Sequence, residues 1–323
     1  MAAAVAVAIP VLDGGAVLGE TLAAVRGQRI DREVELLVAD SGSTDGSREL
    51  AERAGAKVID VPRGQFSHGG TRNALMAASD ASHVAFLTQD ATPADEGWLA
   101  HLLEGFDLAE DVGLVFGPYR ARAAASPMVR RELDAWFASF SPNGRPHVDR
   151  ERDPLAGRGP RDRRAFFTDA NGCVSRSAWE QVPFRQISYA EDQMLAHDML
   201  SAGWSKAYHP AAAVIHSHDY PPGRLLRRSF DESRALREIR GHRAHGGPAR
   251  LALVVQRNVR DDLGLLRSQG LPVHRRAALV PRSTAHHLAK AVGAALGSRA
   301  DRIPGRLTGM LSLERREGFD PQC

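Results

Sequence analysis

The sequence predicts an α/β fold with a mixed, mostly parallel central sheet, followed by a helical C-terminal region. Short apolar runs alternate with helical patterns through the first part of the 323 residues. Such alternation is typical of a parallel sheet that is covered by helices on both faces. After Pro221-Pro222-Gly223 only helical patterns follow. We therefore divide the chain into an α/β domain over 1–220 and a mainly helical accessory region over 221–323.

The elements are predicted in the following order. Strands are expected over 5–9, 34–38, 57–61 and 83–88, with helices over 17–27, 44–54 and 71–78 between them. A polar loop over 141–164 precedes a strand over 169–176, a helix over 190–202 and a closing strand over 207–216. The C-terminal region is expected to contain helices over 224–240, 249–266 and 276–296. Because parallel sheets bind ligands beyond the carboxyl ends of their strands, polar residues at those ends are the functional candidates.

Composition excludes several classes of protein. With 43% hydrophobic and 25% charged residues, the chain is neither disordered nor collagen-like. Its two cysteines, Cys173 and Cys323, cannot form a disulfide framework or a four-cysteine zinc site. Cys173 is expected to be a small buried residue. The apolar start is only about a strand long and lacks a basic segment, so we predict a cytoplasmic protein without a signal peptide or transmembrane span.

Acidic residues stand at three predicted strand ends or helix starts: Asp40, Asp90 and the pair Glu191-Asp192. A parallel sheet would bring all of them to one edge. Each has an ordinary alternative, since Asp40-Ser41-Gly42-Ser43 also fits a turn with a helix cap. Asp90 also fits a solvated loop, and Glu191-Asp192 fits the positive end of a helix. Their recurrence at the sheet edge favours function.

The segment from Phe66 to Asn73 contains two adjacent glycines and Arg72. Paired glycines allow a close approach of the backbone to a ligand, and a helix start offers free N–H donors to an anion. Arg72 is able to add a bidentate contact to a phosphate. The alternative is a plain glycine loop with a surface arginine.

His216 ends the apolar run Val214-Ile215. A histidine at such a position is often structural. However, a helix and a return strand would bring His216 back to the edge that carries Asp192. An aspartate, a histidine and diphosphate oxygens form a plausible shell for Mg²⁺ or Mn²⁺.

The order of these motifs resembles the family 2 glycosyltransferases. The resemblance rests on five segments and extends over 5–220: Ile9-Pro10, Val38-Ala39-Asp40-Ser41-Gly42-Ser43-Thr44-Asp45-Gly46, Gly70-Thr71-Arg72-Asn73, Phe86-Leu87-Thr88-Gln89-Asp90 and Ala190-Glu191-Asp192. The forms His68-Gly69-Gly70-Thr71-Arg72-Asn73 and Gln89-Asp90 are most similar to the rhamnosyltransferase-like branch. The resemblance implies the GT-A fold, in which a nucleotide-binding sheet merges with a smaller acceptor-binding sheet.

The resemblance also implies residue roles. On the donor side it implies that Asp40 recognises a uracil or thymine ring, and the nucleotide-binding set is Pro10, Leu12, Asp40, Gly70, Arg72 and Gln89. It places Asp90, with His216, at the metal, and Asp192 at the general base with Glu191 beside it. The chain departs from the family's Asp-x-Asp pattern, because Thr88 replaces the first acid and Ala91 follows Asp90.

The activity implied is an inverting transfer of a sugar from a dTDP- or UDP-linked donor, with dTDP-rhamnose the leading guess, to a glycan or lipid-linked acceptor. The cofactor implied is Mg²⁺ or Mn²⁺. Two alternatives stay open: a nucleotide-sugar-binding scaffold that has lost transfer, which the missing acid favours, and a nucleotidyltransferase. The latter normally has a basic glycine-rich loop after its first strand, where this chain has Pro10-Val11-Leu12-Asp13.

The formal charge of +3 hides a strong asymmetry. The segment 221–323 contains 20 basic and 9 acidic residues, a net charge of +11, whereas 1–220 has a net charge of −8. The basic segment fits either solvated helix faces or peripheral contact with an anionic membrane. Nucleic acid is not expected as a partner, since the segment has no recognition motif and few aromatic residues.

Overall fold

The computed structural model describes residues 5–151, 164, 166–241, 243–244 and 247–314. The chain forms two compact units. The first unit comprises Met1–Arg122, Asp134–Ile187 and Glu191–Ser217, and the second comprises Ala123–Leu133, Ser188–Ala190 and His218–Cys323. Residues 152–163 of the predicted polar loop and the terminal Cys323 lie outside the described residues.

The first unit contains the alternating strands and helices. The strands are β1 Val5–Val11, β2 Val34–Asp40, β3 Lys57–Asp60, β4 His83–Leu87, β5 Thr92–Pro93, β6 Val112–Phe116, β7 Tyr119–Arg120, β8 His147–Asp149, β9 Asn171–Ser175, β10 Ser205–Tyr208 and β11 Val214–Ile215. The helices are α1 Gly15–Arg26, α2 Ser47–Arg53, α3 His68–Ala77, α4 Trp98–Glu104, α5 Pro127–Ala138, α6 Arg176–Gln181 and α7 Glu191–Ser201, of which α5 begins in the second unit.

The main sheet has eight strands in the order β3-β2-β1-β4-β9-β6-β10-β8. Strands β1, β2, β3 and β4 run parallel, β9 runs antiparallel to both β4 and β6, and β8 runs antiparallel to β10. This arrangement confirms the predicted mixed, mostly parallel sheet. A second sheet of three short strands has the order β5-β11-β7.

The core lies on both faces of the main sheet. Residues 5–9 of β1 are fully buried, and α1 covers this region with Leu18, Leu22 and Val25. Burial of each such side chain contributes about 1.5–3 kcal/mol. The indole N–H of buried Trp98 donates to Oδ1 of Asn171 at 2.8 Å, and the Asn171 amide donates to the Ala212 carbonyl at 2.8 Å. Cys173 is fully buried in the same core, as predicted.

Two of the differences between predicted and observed elements concern candidate site residues. The apolar run over 207–216 forms two strands in different sheets, because Pro210 lacks the backbone N–H that a continuous strand would use. Helix α3 starts at His68 rather than Thr71, because the hydroxyl of Ser67 caps it by accepting from the Gly70 N–H at 3.1 Å. The paired glycines therefore lie inside the first helical turn.

The second unit is helical, as predicted for the C-terminal region. It contains α8 Pro222–Arg240, α9 Pro248–Ser268, α10 Val273–Gly297 and α11 Gly305–Leu311. Helices α8 and α10 pack closely through Gly293 and Gly297. A Cβ atom at these positions would stand 2.3 Å from the Leu226 carbonyl oxygen and 2.1 Å from that of Phe230. Across the part of the chain that the structure describes, no helix has the length and apolar character needed to cross a membrane.

Candidate active site

The carboxyl ends of β1, β2 and β4 meet at one edge of the main sheet. Asp40 is the last residue of β2 and pairs in register with Val11. Its side chain is buried, and its carboxylate accepts the Ser43 N–H at 3.2 Å. The three residues that follow β2 thus fold back toward the Asp40 carboxylate. This contact fixes the direction of the Asp40 side chain at the sheet edge.

The chain after β1 is held by Gln89, which follows β4. The Gln89 side chain accepts the Leu12 N–H at 2.9 Å and donates to the Leu12 carbonyl at 3.2 Å. Pro10 lies inside β1, two residues before Leu12. Gln89 therefore determines the backbone position of Leu12 at the edge where Asp40 lies.

The second sheet brings Asp90 and His216 together. Asp90 precedes β5 and His216 follows β11, and these two strands pair antiparallel. Nδ1 of His216 lies 3.4 Å from Oδ1 of Asp90. The His216 N–H donates to the Arg120 carbonyl at 2.9 Å, and its ring contacts the Tyr119 ring edge-to-face at 4.9 Å. His216 is thus held next to Asp90 by the second sheet, and its expected position at the edge that carries Asp192 stays a prediction.

The donor set around Asp90 fits a hard divalent cation. It offers a carboxylate oxygen and an imidazole nitrogen that already face each other. Nearby in sequence, the hydroxyl of Thr88 is buried and makes no hydrogen bond to any residue that the structure describes. Thr88 stands where the family pattern has an acid, so the position keeps an oxygen donor but loses a negative charge.

The paired glycines at the start of α3 leave space for another segment of the first unit to pack against the helix. A Cβ atom at Gly69 would stand 2.1 Å from the Arg185 carbonyl oxygen. At Gly70 it would stand 2.5 Å from the Ser67 hydroxyl and 3.4 Å from the Gln186 side chain. The absence of side chains here lets the backbone around 185–186 pack against α3.

Arg72 is buried among carboxylates. Its guanidinium forms an ion pair with Asp169 and a second with Glu191, whose Oε1 lies 3.1 Å from Nη1. Nη1 also donates to the His68 carbonyl at 3.0 Å. These charges hold the pKa of Arg72 above its ordinary value although burial opposes this. A role for Arg72 in contacting the donor stays a prediction.

Three carboxyl groups, those of Asp169, Glu191 and Asp192, share this region. Burial raises the pKa of Asp169 to about 7; the Arg72 charge opposes this, while Glu191 adds to it. Burial alone would also raise the pKa of Glu191, but the charges of Arg72 and His68 hold it below its ordinary value. The hydrogen bond between Asp169 and Glu191 thus favours a proton on Asp169 and a charge on Glu191.

Asp192 is the second residue of α7, next to this pair. Burial raises the pKa of Asp192 well above the ordinary range, and the carboxyl groups of Asp169 and Glu191 raise it further when they are ionised. Its Oδ1 accepts the Gln193 N–H at 2.7 Å. A carboxylate whose pKa is raised in this way is a stronger base than an exposed aspartate, which suits it to accept a proton from a hydroxyl group.

The sequence argument did not identify Asp169. It treated Asp169 as the first residue of a strand, but β9 begins at Asn171 and Asp169 precedes it. The available signal was an acid at a strand boundary, which had been used for Asp40 and Asp90. Trp179 and Trp204 of the same unit are half-buried, and the Trp179 indole donates to Oδ1 of Asn73 at 2.8 Å.

Residues 6–173 match the family described as Glycosyl transferase family 2. The O-antigen chain rhamnosyltransferase WbaN of Salmonella anatum is 31% identical over 201 residues, which cover 61% of each chain. The O-antigen chain rhamnosyltransferase RfbN of Salmonella typhimurium is 30% identical over 228 residues, which cover 69% of each chain. The match thus spans between three fifths and seven tenths of these relatives' length.

Solved structures of low sequence identity share the fold. A mannosyltransferase of Pyrobaculum calidifontis, solved with GDP-Man and Mn²⁺, has a TM-score of 0.59 at 16% identity, covering 94% of this chain and 89% of that one. A glucosyl-3-phosphoglycerate synthase of Mycobacterium tuberculosis, solved with UDP, has a TM-score of 0.50 at 22% identity, covering 76% of this chain and 82% of that one. These likenesses confirm the predicted GT-A fold. With more than half of its residues matched by the family, the chain belongs to glycosyltransferase family 2.

Proposed function

We propose that this protein is an inverting glycosyltransferase that transfers a sugar from a nucleoside diphosphate to a hydroxyl group of a glycan or lipid-linked acceptor. The observation that carries the proposal is Asp192, placed at the start of α7 beside Asp169 and Glu191 with its pKa raised. The two rhamnosyltransferase relatives make dTDP-rhamnose the leading candidate donor. The solved relatives that contain GDP-Man, Mn²⁺ or UDP support a nucleotide-linked donor.

In the proposed reaction, Asp192 removes the proton from the acceptor hydroxyl as its oxygen attacks the anomeric carbon. The bond between that carbon and the diphosphate oxygen breaks, and the nucleoside diphosphate leaves with the electron pair. A general base typically contributes about 10²–10⁴-fold to the rate. One displacement inverts the anomeric centre. Glu191, held in its charged form by Arg72, orients Asp192 or an acceptor hydroxyl.

Donor recognition is assigned to the sheet edge. The carboxylate of Asp40, which accepts the Ser43 N–H, would accept an N–H from a uracil or thymine ring. Pro10 and Leu12 shape the same pocket, and Gln89 supports it by binding both backbone polar groups of Leu12. The donor contacts implied for Gly70 and Arg72 belong to the proposal as well. Gly70 also allows the Gln186 side chain to pack against α3.

Asp90 and His216 are the residues that would hold Mg²⁺ or Mn²⁺. A bound cation would offset the negative charge that develops on the departing diphosphate. Asp90 would supply one carboxylate and His216 one ring nitrogen, and the backbone N–H of His216 donates to the Arg120 carbonyl. With Thr88 in place of an acid, we expect weaker metal binding than an Asp-x-Asp pair would give.

A thermal-shift screen tests the donor and the metal together. Nucleotide sugars are added to the full chain with and without Mn²⁺ or Mg²⁺, and a selective rise in the unfolding temperature identifies the donor class. We expect dTDP-rhamnose to give the largest metal-dependent rise, and Asp90→Ala to abolish the metal dependence. No response to any nucleotide sugar would contradict the proposal. Binding of a nucleotide sugar without detectable sugar transfer would favour the alternative of a binding scaffold. The observation behind that alternative is Thr88, which stands where the family pattern has an acid.

Peripheral membrane contact through 221–323 is a second part of the proposal. Arginines on α8 have partners within the second unit: Arg237 lies 2.8 Å from Asp301, and Arg228 lies over the Tyr189 ring. Helix α9, by contrast, exposes Leu253 and Val254 between basic residues. Exposed apolar and basic side chains on one helix are typical of interfacial binding. Co-sedimentation of the native chain and of Leu253→Ser with anionic liposomes tests this contact. We expect the variant to bind less, and equal, negligible binding by the native chain and the variant would contradict the membrane contact.

A further inference from the structure

A group of two histidines and a glutamate lies in the first unit, at the end of α4. His101 and Glu104 are three residues apart on α4, and His209 directly follows β10. Oε2 of Glu104 lies 3.0 Å from Nδ1 of His101 and 3.3 Å from Nε2 of His209. The potential ligand atoms of all three residues lie within 4.8 Å of one another. Neither the donor site nor the proposed base uses these residues.

The separations of these atoms fit a tetrahedral metal. Zinc binds nitrogen and carboxylate oxygen at about 2.0–2.2 Å, so two ligand atoms at a tetrahedral angle are about 3.4 Å apart. The two separations between Glu104 Oε2 and the histidine nitrogens lie within a few tenths of an ångström of that value. Two imidazoles and one carboxylate also match the ligand types of zinc better than those of Mg²⁺, which prefers oxygen.

The backbone already holds the ligand residues in position. The His209 N–H donates to the Phe116 carbonyl at 2.9 Å, and the His209 carbonyl accepts from the Ala212 N–H at 3.2 Å. Helix α4 is fixed at its other end by the bond from Trp98 to Asn171. Binding a metal here would therefore require little ordering of the chain, which lowers its entropic cost.

The ring of His209 is buried, and its Nε2 is the nitrogen that faces Glu104. His209 is more than nine-tenths buried, and its Nδ1 makes no hydrogen bond to any described residue. A proton on Nε2 leaves Nδ1 as an empty buried acceptor, whereas a proton on Nδ1 directs the Nε2 lone pair at a carboxylate. A cation between Nε2 and Glu104 replaces that repulsion with two coordinate bonds.

We propose that His101, Glu104 and His209 form a site for Zn²⁺ that is separate from the metal position at Asp90 and His216. Water would complete the shell at the exposed side, where the Glu104 side chain is 57% accessible. Bound Zn²⁺ would link the last turn of α4 to the end of β10. It would stabilise the first unit by an amount that rises with the logarithm of the Zn²⁺ concentration above the dissociation constant.

A similar group in the second unit is a poorer candidate. Glu132 lies near His286 and His287, but its Oε2 already accepts from the ammonium of Lys290 at 2.7 Å. Nε2 of His287 is bonded to Asp262 at 2.7 Å. The Glu132 carboxylate thus already has the positive charge of Lys290 beside it, and His287 already has Asp262 as a partner, so a cation has less to gain here.

The test titrates Zn²⁺ into the full chain in competition with a chromophoric zinc chelator. The background is the Asp90→Ala/His216→Ala double variant, which lacks the proposed diphosphate metal position. We expect this protein to bind one equivalent of Zn²⁺. His101→Asn and Glu104→Gln should each weaken binding at least tenfold, since even residues that only support metal ligands change affinity by about 10–100-fold.

Two controls separate coordination from folding. His197→Asn removes another partly exposed histidine of the first unit and should leave Zn²⁺ affinity unchanged. Without metal, His101→Asn and Glu104→Gln should unfold at the temperature of the background protein, while Zn²⁺ should raise that temperature only in proteins with an intact group. Absence of Zn²⁺ binding in the background, or equal affinity in His101→Asn and Glu104→Gln, would overturn the assignment.

Discussion

Nη1 of Arg72 lies 3.1 Å from Oε1 of Glu191, and both side chains are more than nine-tenths buried. The same guanidinium is paired with Asp169, so one positive charge is shared between two carboxyl groups. Asp192 interacts electrostatically with both Asp169 and Glu191. The region therefore contains three acidic side chains, and Arg72 supplies a single positive charge beside them. The pKa of Asp192, on which the proposed chemistry depends, is therefore raised first by its burial and then further by Asp169 and Glu191.

Replacement of Arg72 by Met should destabilise the fold and nearly abolish transfer. It leaves Asp169 and Glu191 buried without a counter-charge, and removal of one partner of a buried ion pair typically costs about 3–5 kcal/mol. Urea denaturation measures the decrease in the free energy of unfolding. Arg72→Lys keeps the charge and should recover part of the stability. A loss below about 1 kcal/mol for Arg72→Met would show that the pair does not hold the cluster together.

Asp169→Asn should shift the pH dependence of transfer to lower pH. The carboxyl of Asp169 raises the pKa of Asp192, so its removal lowers that pKa. A base works when deprotonated, so activity is lost as pH falls through its pKa, and the variant should keep activity to a lower pH. The measurement is kcat/KM against pH, which reports the free enzyme. Asp198→Asn, on the same helix, serves as the control; an unmoved acidic limb in Asp169→Asn would contradict the coupling.

Asp149→Asn should destabilise the first unit. Asp149 Oδ2 lies 3.1 Å from the fully buried ammonium of Lys206. At neutral pH the variant leaves that ammonium without its carboxylate, at a cost of about 3–5 kcal/mol. Asp111→Asn, which breaks the exposed pair with Arg150, should cost about 1 kcal/mol or less. Equal losses in urea denaturation would contradict the distinction.

The same pair predicts an acid-sensitive stability. Burial opposes the charge of Asp149, but the hydrogen bond with His147 and the charge of Lys206 lower its pKa to about 2. Since the folded pKa lies below the unfolded value of 3.8, this stabilisation is present above pH 4. It should decline as pH falls from about 4 to 2. In Asp149→Asn, the slope of unfolding free energy against pH over this window should be smaller, and an unchanged slope would exclude Asp149 as its source.

Gly69→Ala should destabilise the chain although Ala is the better helix former. In an exposed helix the change stabilises by roughly 0.5–1 kcal/mol. At Gly69 the new Cβ would stand 2.1 Å from the Arg185 carbonyl oxygen, and overpacking of this kind costs about 1–3 kcal/mol. Gly64→Ala is the matched control, because nothing lies within 4 Å of its Cβ position. A higher urea midpoint for Gly69→Ala than for the native chain would refute the close contact.

The main sheet and its acidic edge could be predicted because they follow from local pattern. Buried parallel strands are continuous apolar runs, and their ends are marked by polar residues, as at Asp40. The family resemblance implied a second, smaller sheet, but the local pattern did not delimit its strands, because β5, β7 and β11 have two residues each and carry no periodicity. This sheet is nevertheless what brings Asp90 and His216 together.

The limits of sequence reasoning are clearest at Arg72 and the glycines before it. A glycine pair followed by arginine is compatible with a ligand loop and with a helix start that another chain segment packs against. The choice depends on contacts with Arg185 and Glu191, which are more than 100 residues away in sequence. Asp169 was missed for the same reason, since only its contact with Arg72 distinguishes it from an ordinary residue before a strand.

The central claim is that Asp192 is the base for sugar transfer, and Asp192→Asn tests it most directly. The assay measures transfer from dTDP-rhamnose, or from the donor found by thermal shift, together with donor binding by calorimetry. We expect kcat to fall by about 10²–10⁴-fold while donor affinity changes little, because the amide keeps the shape but cannot accept the proton. Asp198→Asn should leave both unchanged. Transfer by Asp192→Asn at close to the native rate would contradict the account.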